Sequence, residues 1–283
     1  MQIKKVGVVG VGIMGAGIAQ VASQAGYQVI AREINEELLK KGLASINSFL
    51  SKSVEKGRLS QQDKDAVMGR IQGTLNLADF KDCDFVIEAV MENLELKKKV
   101  FAELDQVCPE HTVLATNAST VSIIDIARAT KRPDKVVGTH YFNPVPMMKL
   151  VEIVRTIATS DETVKICQEY CRSIGKETVI ARDTPGFIVN RLGTPFMLEA
   201  VRMLESGIAT RDDIDNAVKL GLNHPIGPLA LLDLIGIDSV FYGASTIYDE
   251  TKDPQYAPPV LMRKMVAAGW LGRKTGKGFY DYK

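Results

Sequence analysis

Residues 5–33, KVGVVGVGIMGAGIAQVASQAGYQVIARE, carry the strongest structural signal in the chain. The glycine pattern Gly10-Val11-Gly12-Ile13-Met14-Gly15 lies between a strand-like apolar run and a helical segment that ends at Gly26. A second apolar run then ends at Glu33, the spacing at which a carboxylate binds the ribose of an adenine dinucleotide. The glycines permit a tight turn whose N–H groups face a pyrophosphate at the helix start. The stretch predicts a dinucleotide site rather than a ligand-free turn or a kinase glycine loop, since no kinase motif follows.

The residues around this turn also indicate which dinucleotide is bound. Glu33 favours NAD, because a carboxylate beside the ribose repels the additional phosphate of NADP. Arg32 leaves NADP as a less favoured alternative, because NADP sites use a neighbouring arginine. Glu92, after the run DFVIEA, and Asn117, after TVLAT, follow two further predicted strands at the edge where ligands bind in such sheets. Helix capping is an alternative explanation for Asn117 and for Ser119.

Short apolar runs alternate with longer helical patterns over the first part of the chain: KKVGVV, YQVIA, DFVIEA, TVLAT and KVVGTH. This alternation predicts βαβ units and a mostly parallel sheet. After Asp161 helical periodicity dominates, and Asp183-Thr184-Pro185-Gly186 is the best candidate boundary. We therefore expect an α/β fold: a Rossmann-type doubly wound domain over residues 1–184 and an all-α domain over residues 185–283, with a helix beginning at Phe187.

Composition excludes several classes of partner. The 283 residues contain 35 Lys+Arg and 34 Asp+Glu, so no overall field attracts nucleic acid or an anionic membrane. The first residues lack the features of a signal peptide, and no apolar stretch approaches the roughly 20 residues of a membrane span. A cytoplasmic protein is expected. The cysteines show neither CxxC spacing nor a nearby histidine cluster, so no metal site is expected: Cys83, Cys108, Cys167 and Cys171.

His140 and Glu152 are the strongest candidates for acid–base chemistry. His140 ends the run KVVGTH, and Glu152 lies inside the apolar run LVEIV, where a buried carboxylate needs a partner. A carboxylate on one ring nitrogen fixes the tautomer and leaves the other nitrogen to exchange a proton with a substrate oxygen. The alternative places Glu152 on a solvated face. The other histidines, His111 and His224, have the sequence context of structural residues.

Asn190 is a further candidate, because it lies among apolar residues near the start of a predicted helix. A buried amide there could polarise a carbonyl group, or it could simply be a satisfied polar group of the core.

Seven ordered motifs make the whole chain resemble the 3-hydroxyacyl-CoA dehydrogenase family, and within it the short monofunctional bacterial 3-hydroxybutyryl-CoA dehydrogenases. They are GVGIMGAGIAQ, VIEAVMENLELKKKVFAELD, TNASTVSI, GTHYFNPVPMMKLVEIV, DTPGFIVNR, HPIGPLALLDLIGID and GWLGRKTGKGFYDY. The resemblance implies reversible hydride transfer between NADH and short 3-ketoacyl or 3-hydroxyacyl thioesters of CoA. It also implies a homodimer formed through the C-terminal domain.

The resemblance further implies a role for each matching residue. His140 would be the general acid/base and Glu152 its partner, while Ser119 and Asn190 would contact the substrate. The remaining cofactor contacts would be Glu92, Lys97, Asn117, Ser119 and Asn143, and the contacts to the CoA phosphates would be Lys52 and Lys56. Lysines on an exposed helix usually face water, so a solvated face is the alternative for Lys52, Lys56 and Lys97.

The chain departs from the family pattern at several positions. Glu33 stands where the family usually has Asp, which should preserve the NAD preference but could change the affinity. Ala118 and Thr120 flank Ser119 where Thr and Ser are more usual, and Ala230 replaces a usual Glu. Two other functions stay open: a dehydrogenase of hydroxy acids without CoA, as in the related gulonate dehydrogenase and lens-crystallin branch, and a nucleotide-binding protein that has lost catalysis.

Overall fold

The structure is a computed structural model that describes residues 2–282. Its contacts divide the chain into two compact units, Met1–Thr184 and Pro185–Lys283. Within the described residues no single helix is long and apolar enough to cross a membrane, and the two helices that reach the required length together are bent by 97°.

The first unit contains an eight-stranded sheet in the order β3-β2-β1-β4-β5-β6-β7-β8. All neighbouring strands are parallel except β6 and β7, which are antiparallel. The strands are β1 (Lys5–Val9), β2 (Gln28–Arg32), β3 (Ile71–Thr74), β4 (Phe85–Glu88), β5 (Val113–Thr116), β6 (Val136–Tyr141), β7 (Leu150–Arg155) and β8 (Glu177–Arg182). The order reverses at β1, so a crevice opens beyond the carboxyl ends of β1 and β4, where the sheet changes winding direction.

Six helices accompany this sheet: α1 (Ile13–Gln24), α2 (Glu36–Glu55), α3 (Gln61–Gly69), α4 (Leu94–Val107), α5 (Ile123–Ala127) and α6 (Asp161–Ser173). A core of buried aliphatic and aromatic side chains joins one face of the sheet to α1, α2 and α6. Side-chain caps begin most of these helices, for example Asn35 at α2 and Asn93 at α4. The exception is α1, because its N-cap residue, Gly12, has no side chain that could accept a hydrogen bond.

The second unit is helical: α7 (Val189–Glu205), α8 (Arg211–Gly221), α9 (Pro228–Ile235), α10 (Ile237–Thr251) and α11 (Val260–Ala267). These helices share a core of their own. The C-terminal segment packs on this core through Asp233, whose buried carboxylate accepts the N–H groups of Phe279 and Tyr280, both at 2.9 Å.

The predicted α/β fold with a doubly wound sheet and a helical second part is confirmed. Two details of the sequence interpretation were wrong. The helix expected to begin at Phe187 begins at Val189, because Gly186 and Phe187 have positive φ values of 78° and 48°, which a right-handed helix cannot accommodate. The edge strand β3 was not predicted, because its four residues, IQGT, are half-buried or exposed and lack an apolar alternation.

Candidate active site

The glycine turn between β1 and α1 leaves room for a ligand on one side only. A Cβ atom at Gly10, where φ is +89°, would lie 2.8 Å from the carbonyl oxygen of Ala89. At Gly12 an added Cβ would have no atom within 4 Å. The first helical bond runs from the N–H of Ala16 to the carbonyl of Gly12 at 2.8 Å, so the preceding N–H groups have no partner within the helix: Ile13, Met14 and Gly15. This uncapped N-terminus suits a pyrophosphate.

Glu33, directly after β2, supports the turn from the neighbouring strand. Its Oε1 atom accepts the N–H of Val11 at 2.6 Å, and its Oε2 atom accepts the N–H of Ile34 at 3.1 Å. The carboxylate therefore lies against the glycine turn, directly after β2. Arg32 is held differently, since its Nε atom donates to the carbonyl of Leu75 at 3.4 Å.

A buried ion pair lies where β4 meets α4. Lys97 Nζ is 2.8 Å from Glu88 Oε1, and both side chains are almost fully buried, with 1% and 0% exposure. Glu88 also accepts the N–H of Val90 at 2.6 Å and the hydroxyl of Thr116 at 2.7 Å. The solvated face considered for Lys97 was wrong: its ammonium group lies inside the protein, 3.4 Å from the Oε2 atom of Glu92.

Glu92 organises the segment that carries Ser119. Its Oε1 atom accepts the backbone N–H groups of Ser119 and Thr120, each at 2.7 Å, and that of Val121 at 3.3 Å. Burial raises the pKa of Glu92, but Lys97 and these N–H groups lower it more, so the net pKa lies below its usual value. The carboxylate stays ionised at neutral pH and fixes the backbone on either side of the Ser119 hydroxyl.

Asn117 connects the ends of β5 and β6. Its side-chain oxygen accepts the N–H of Tyr141 at 3.0 Å, and its own N–H donates to the carbonyl of Glu88 at 2.7 Å. These bonds hold the end of β6, which carries His140, beside the end of β4.

His140 and Glu152 form a buried pair on the antiparallel strands β6 and β7. The two residues are direct register partners, and Nδ1 of His140 lies 2.7 Å from Oε2 of Glu152. His140 is 5% exposed and Glu152 is 0% exposed, so the alternative of a solvated Glu152 was wrong. The ring of Phe142 packs against the imidazole with centroids 4.7 Å apart.

The structure does not join every predicted site residue to this network. Lys52 and Lys56 are exposed at the C-terminal end of α2, and Asn143 is exposed in the loop after β6. Asn190 is half-buried in the first turn of α7, in the second unit. Within the described residues of the first unit, no hydrogen bond or ion pair connects the side chains of Lys52, Lys56 and Asn143 with the other candidates of that unit.

The remaining histidines and cysteines lie in structural settings. His111 Nε2 is 3.2 Å from the carboxylate of Asp84, and the ring of His224 packs near Phe196. All four cysteines are buried free thiols, and burial raises the pKa of Cys83 and of Cys108 to about 12. In the described part of the chain no group of three or more His, Cys, Asp or Glu side chains could hold a metal ion.

The sequence interpretation did not identify two charged residues of the first unit. Glu88 is a carboxylate inside an apolar strand, the same signal that identified Glu152, and it could have been found that way. Lys176, a buried lysine before β8, gave no comparable signal.

Known proteins are similar to this chain over its whole length. Residues 5–184 match the family model "3-hydroxyacyl-CoA dehydrogenase, NAD binding domain", and residues 186–282 match "3-hydroxyacyl-CoA dehydrogenase, C-terminal domain". A probable 3-hydroxybutyryl-CoA dehydrogenase of Bacillus subtilis is 43% identical, with 100% of this chain and 99% of the relative covered. A 3-hydroxybutyryl-CoA dehydrogenase of Clostridioides difficile is 46% identical, with 98% and 99% covered. The crystal structure of (S)-3-hydroxybutyryl-CoA dehydrogenase from Ralstonia eutropha superposes with a TM-score of 0.95 at 43% identity, covering 100% of both chains.

Proposed function

Since this chain belongs to the 3-hydroxyacyl-CoA dehydrogenase family, we propose that it transfers hydride reversibly between NADH and a short 3-ketoacyl thioester of CoA. Acetoacetyl-CoA and 3-hydroxybutyryl-CoA are the proposed substrate pair, because relatives that match over almost their whole length carry that name. The observation that carries the proposal is the buried pair of His140 and Glu152, in the same unit as the glycine turn.

The residues present fit NAD. The uncapped start of α1 offers N–H groups to the pyrophosphate, and Gly12 leaves the space beside them open. Glu33 would bind the adenosine ribose, and the network of Glu92, Lys97 and Asn117 would border the rest of the cofactor. When bound, the nicotinamide supplies hydride to C3 of the acyl chain or accepts hydride from it.

His140 moves the proton that accompanies the hydride. In reduction, protonated His140 donates from Nε2 to the oxygen on C3, and in oxidation the neutral ring takes the proton back. Glu152 accepts from Nδ1, which fixes the ring orientation and leaves Nε2 for the substrate oxygen. Because both residues are buried on paired strands, the ring has little freedom to rotate away from the substrate.

The other proposed substrate contacts follow from the resemblance. The Ser119 hydroxyl, on a backbone held by Glu92, would bind the 3-oxygen or the thioester region, and Asn190 is proposed for the same substrate groups. Lys52 and Lys56, exposed at the end of α2, are proposed to contact the CoA phosphates.

A spectrophotometric assay tests the proposed function directly. The loss of NADH absorbance is followed with acetoacetyl-CoA, with free acetoacetate and with other keto acids without CoA, and the gain of NADH absorbance is followed with NAD⁺ and hydroxy acids without CoA. Turnover only with the CoA thioester supports the proposal, and turnover only with free acids identifies the alternative dehydrogenase. Folded protein that binds NADH without turning over any of them fits a protein that has lost catalysis.

We expect the wild-type protein to bind NADH at least about tenfold more tightly than NADPH, a difference of about 1.4 kcal/mol. The reason is the negative charge of Glu33, which would repel the additional phosphate of NADPH. Glu33→Gln keeps an oxygen that can accept the N–H of Val11 but removes the charge. The ratio between the affinities for NADH and NADPH should therefore become smaller. Fluorescence titration of both dinucleotides measures the ratio. Equal affinities in the wild type would show that Glu33 does not select the cofactor.

We also expect a homodimer formed through the second unit. That unit has large apolar side chains at its surface, including Leu220, 85% exposed, and Leu222, 61% exposed. Light scattering after size exclusion should give twice the chain mass of 31.0 kDa at micromolar concentration. A mass of one chain over the whole concentration range would contradict the dimer.

A further inference from the structure

Lys176, between α6 and β8, carries a buried ammonium group that forms no ion pair with any described residue. Its exposure is 6%, and its charge is opposed by burial, which lowers its pKa. The Cys171 thiol acts in the opposite direction on this pKa, and no carboxylate of the described residues lies within ion-pair distance of the group. A buried charge without an ionic partner destabilises a fold unless it forms other strong polar contacts.

Among the described residues, both hydrogen-bond partners of the Lys176 ammonium group lie in one loop. Its Nζ atom donates to the carbonyl of Val145 at 2.5 Å and to that of Met148 at 2.7 Å. These carbonyls belong to the loop of residues 142–149, which connects β6 to β7. Within the loop, the N–H groups of Met147 and Met148 both donate to the carbonyl of Pro144 at 3.0 Å. One ammonium group thus holds the turn at two points.

The same loop is anchored from the other side by α1. Val145 is buried, and a Cβ atom added at Gly17 would lie 2.8 Å from its Cβ atom, so the loop packs directly on the helix that follows the glycine turn. Asn143 lies on the exposed part of the loop, two residues before this anchor. The position of Asn143 relative to α1 therefore depends on the contacts of Val145 and Lys176.

We infer that Lys176 is a positioning residue for the dinucleotide: its ammonium group fixes the loop of residues 142–149 so that Asn143 is held ready to contact the cofactor. The inference rests on the proposed function, which assigns Asn143 to the cofactor. Lys176 itself touches neither cofactor nor substrate. It acts by keeping the loop in one conformation, so that the loop loses less conformational entropy when the dinucleotide binds.

Two variants at Lys176 and a matched control test this inference. Lys176→Met preserves the length of the side chain but removes the donors and the charge, while Lys176→Arg keeps both. Lys165→Met is the control, since it removes one lysine charge at an exposed position of α6. Hydrogen exchange of peptides covering residues 142–149, measured without ligand, reports on the loop, and NADH titration reports on binding.

In Lys176→Met we expect faster exchange confined to the loop and a rise of about tenfold in the Kd for NADH. Lys176→Arg should return both the exchange rate of the loop and the Kd for NADH most of the way to their wild-type values. Lys165→Met should match the wild type. Asn143→Ala should weaken NADH binding to a similar degree, and the double variant should be little weaker than either single variant, because Lys176 acts through Asn143. If Lys176→Met does not fold, Lys176→Gln, whose amide reaches at most one carbonyl, takes its place with the same expected outcomes.

Different results separate this inference from the proposed function. A wild type that does not bind NADH would overturn the proposed function. A wild type that binds NADH, with a variant whose Kd is unchanged, would overturn only the role of Lys176. Faster exchange spread evenly over the first unit, or effects of Lys176 and Asn143 that simply add, would also overturn it, since Lys176 would then stabilise the unit as a whole.

Discussion

Replacement of His140 with alanine should lower kcat for acetoacetyl-CoA reduction by about 10²–10⁴-fold, the range expected when a general acid is lost. NADH should bind with nearly wild-type affinity, because Glu33 and the glycine turn are held by bonds to each other, whereas the imidazole pairs with Glu152. The loss arises because the oxygen on C3 no longer has a placed proton donor while hydride arrives. Steady-state rates and NADH titration on the same preparation measure the two effects separately.

A second variant keeps this test independent of folding. His140→Ala removes the Nδ1 donor from the fully buried carboxylate of Glu152, which destabilises the first unit. In His140→Asn the side-chain amide can still donate to Glu152 but cannot serve as an acid. It should be more stable than the alanine variant and equally inactive. An asparagine variant with more than about a tenth of wild-type kcat would exclude His140 as the general acid.

Lys97→Met should lower the free energy of unfolding by about 3–5 kcal/mol, because it leaves the Glu88 carboxylate buried without a counter-charge. The variant also removes the charge that helps to keep the pKa of Glu92 low, and so loosens the hold of Glu92 on the Ser119 segment. Urea unfolding measures the stability. NADH titration and KM for acetoacetyl-CoA measure the consequence for the site.

The neighbouring lysine provides the control for this prediction. Lys98 pairs with Glu95 at 2.9 Å on the surface, with 33% and 80% side-chain exposure, so Lys98→Met should cost less than about 1 kcal/mol. The double variant Lys97→Met with Glu88→Gln should recover part of the stability, since no buried charge is left unpaired. Equal decreases in the free energy of unfolding for the Lys97 and Lys98 variants would mean that the buried pair stabilises the protein no more than the surface pair does.

The sequence predicted the fold well where periodicity and glycine spacing act together. The alternation of strands and helices and the turn at Gly10–Gly15 fix the doubly wound sheet, because each strand needs a helix to cross to its parallel neighbour. The interpretation failed at β3 and at the start of α7. In β3 the pairing with β2 compensates for a weak local preference, and at Phe187 the left-handed backbone is set by the fold around it.

The acid–base pair could be predicted because one apolar run contains a charge. Glu152 was recognised in this way, and its pairing with His140 needs only strands that are neighbours in the sequence. Lys97 could not be distinguished from Lys98, because adjacent lysines on a helix differ only in the face they occupy. Lys176 could not be identified from the sequence, since its partners are backbone carbonyls 31 and 28 residues away. Every residue has a backbone carbonyl, so no residue type marks these partners.

All four native thiols are buried, so the wild-type chain can be labelled at introduced cysteines without a reaction at the native ones. The thiolate is the reactive form, and the burial that raises the pKa of each thiol keeps it protonated and out of reach of reagents at neutral pH. Lys165→Cys in the first unit and Lys264→Cys in the second, both at exposed positions, would supply the readily labelled sulfurs. A donor and an acceptor dye on that pair would report the separation of the two units in solution, with and without NADH, and no native cysteine would need to be removed.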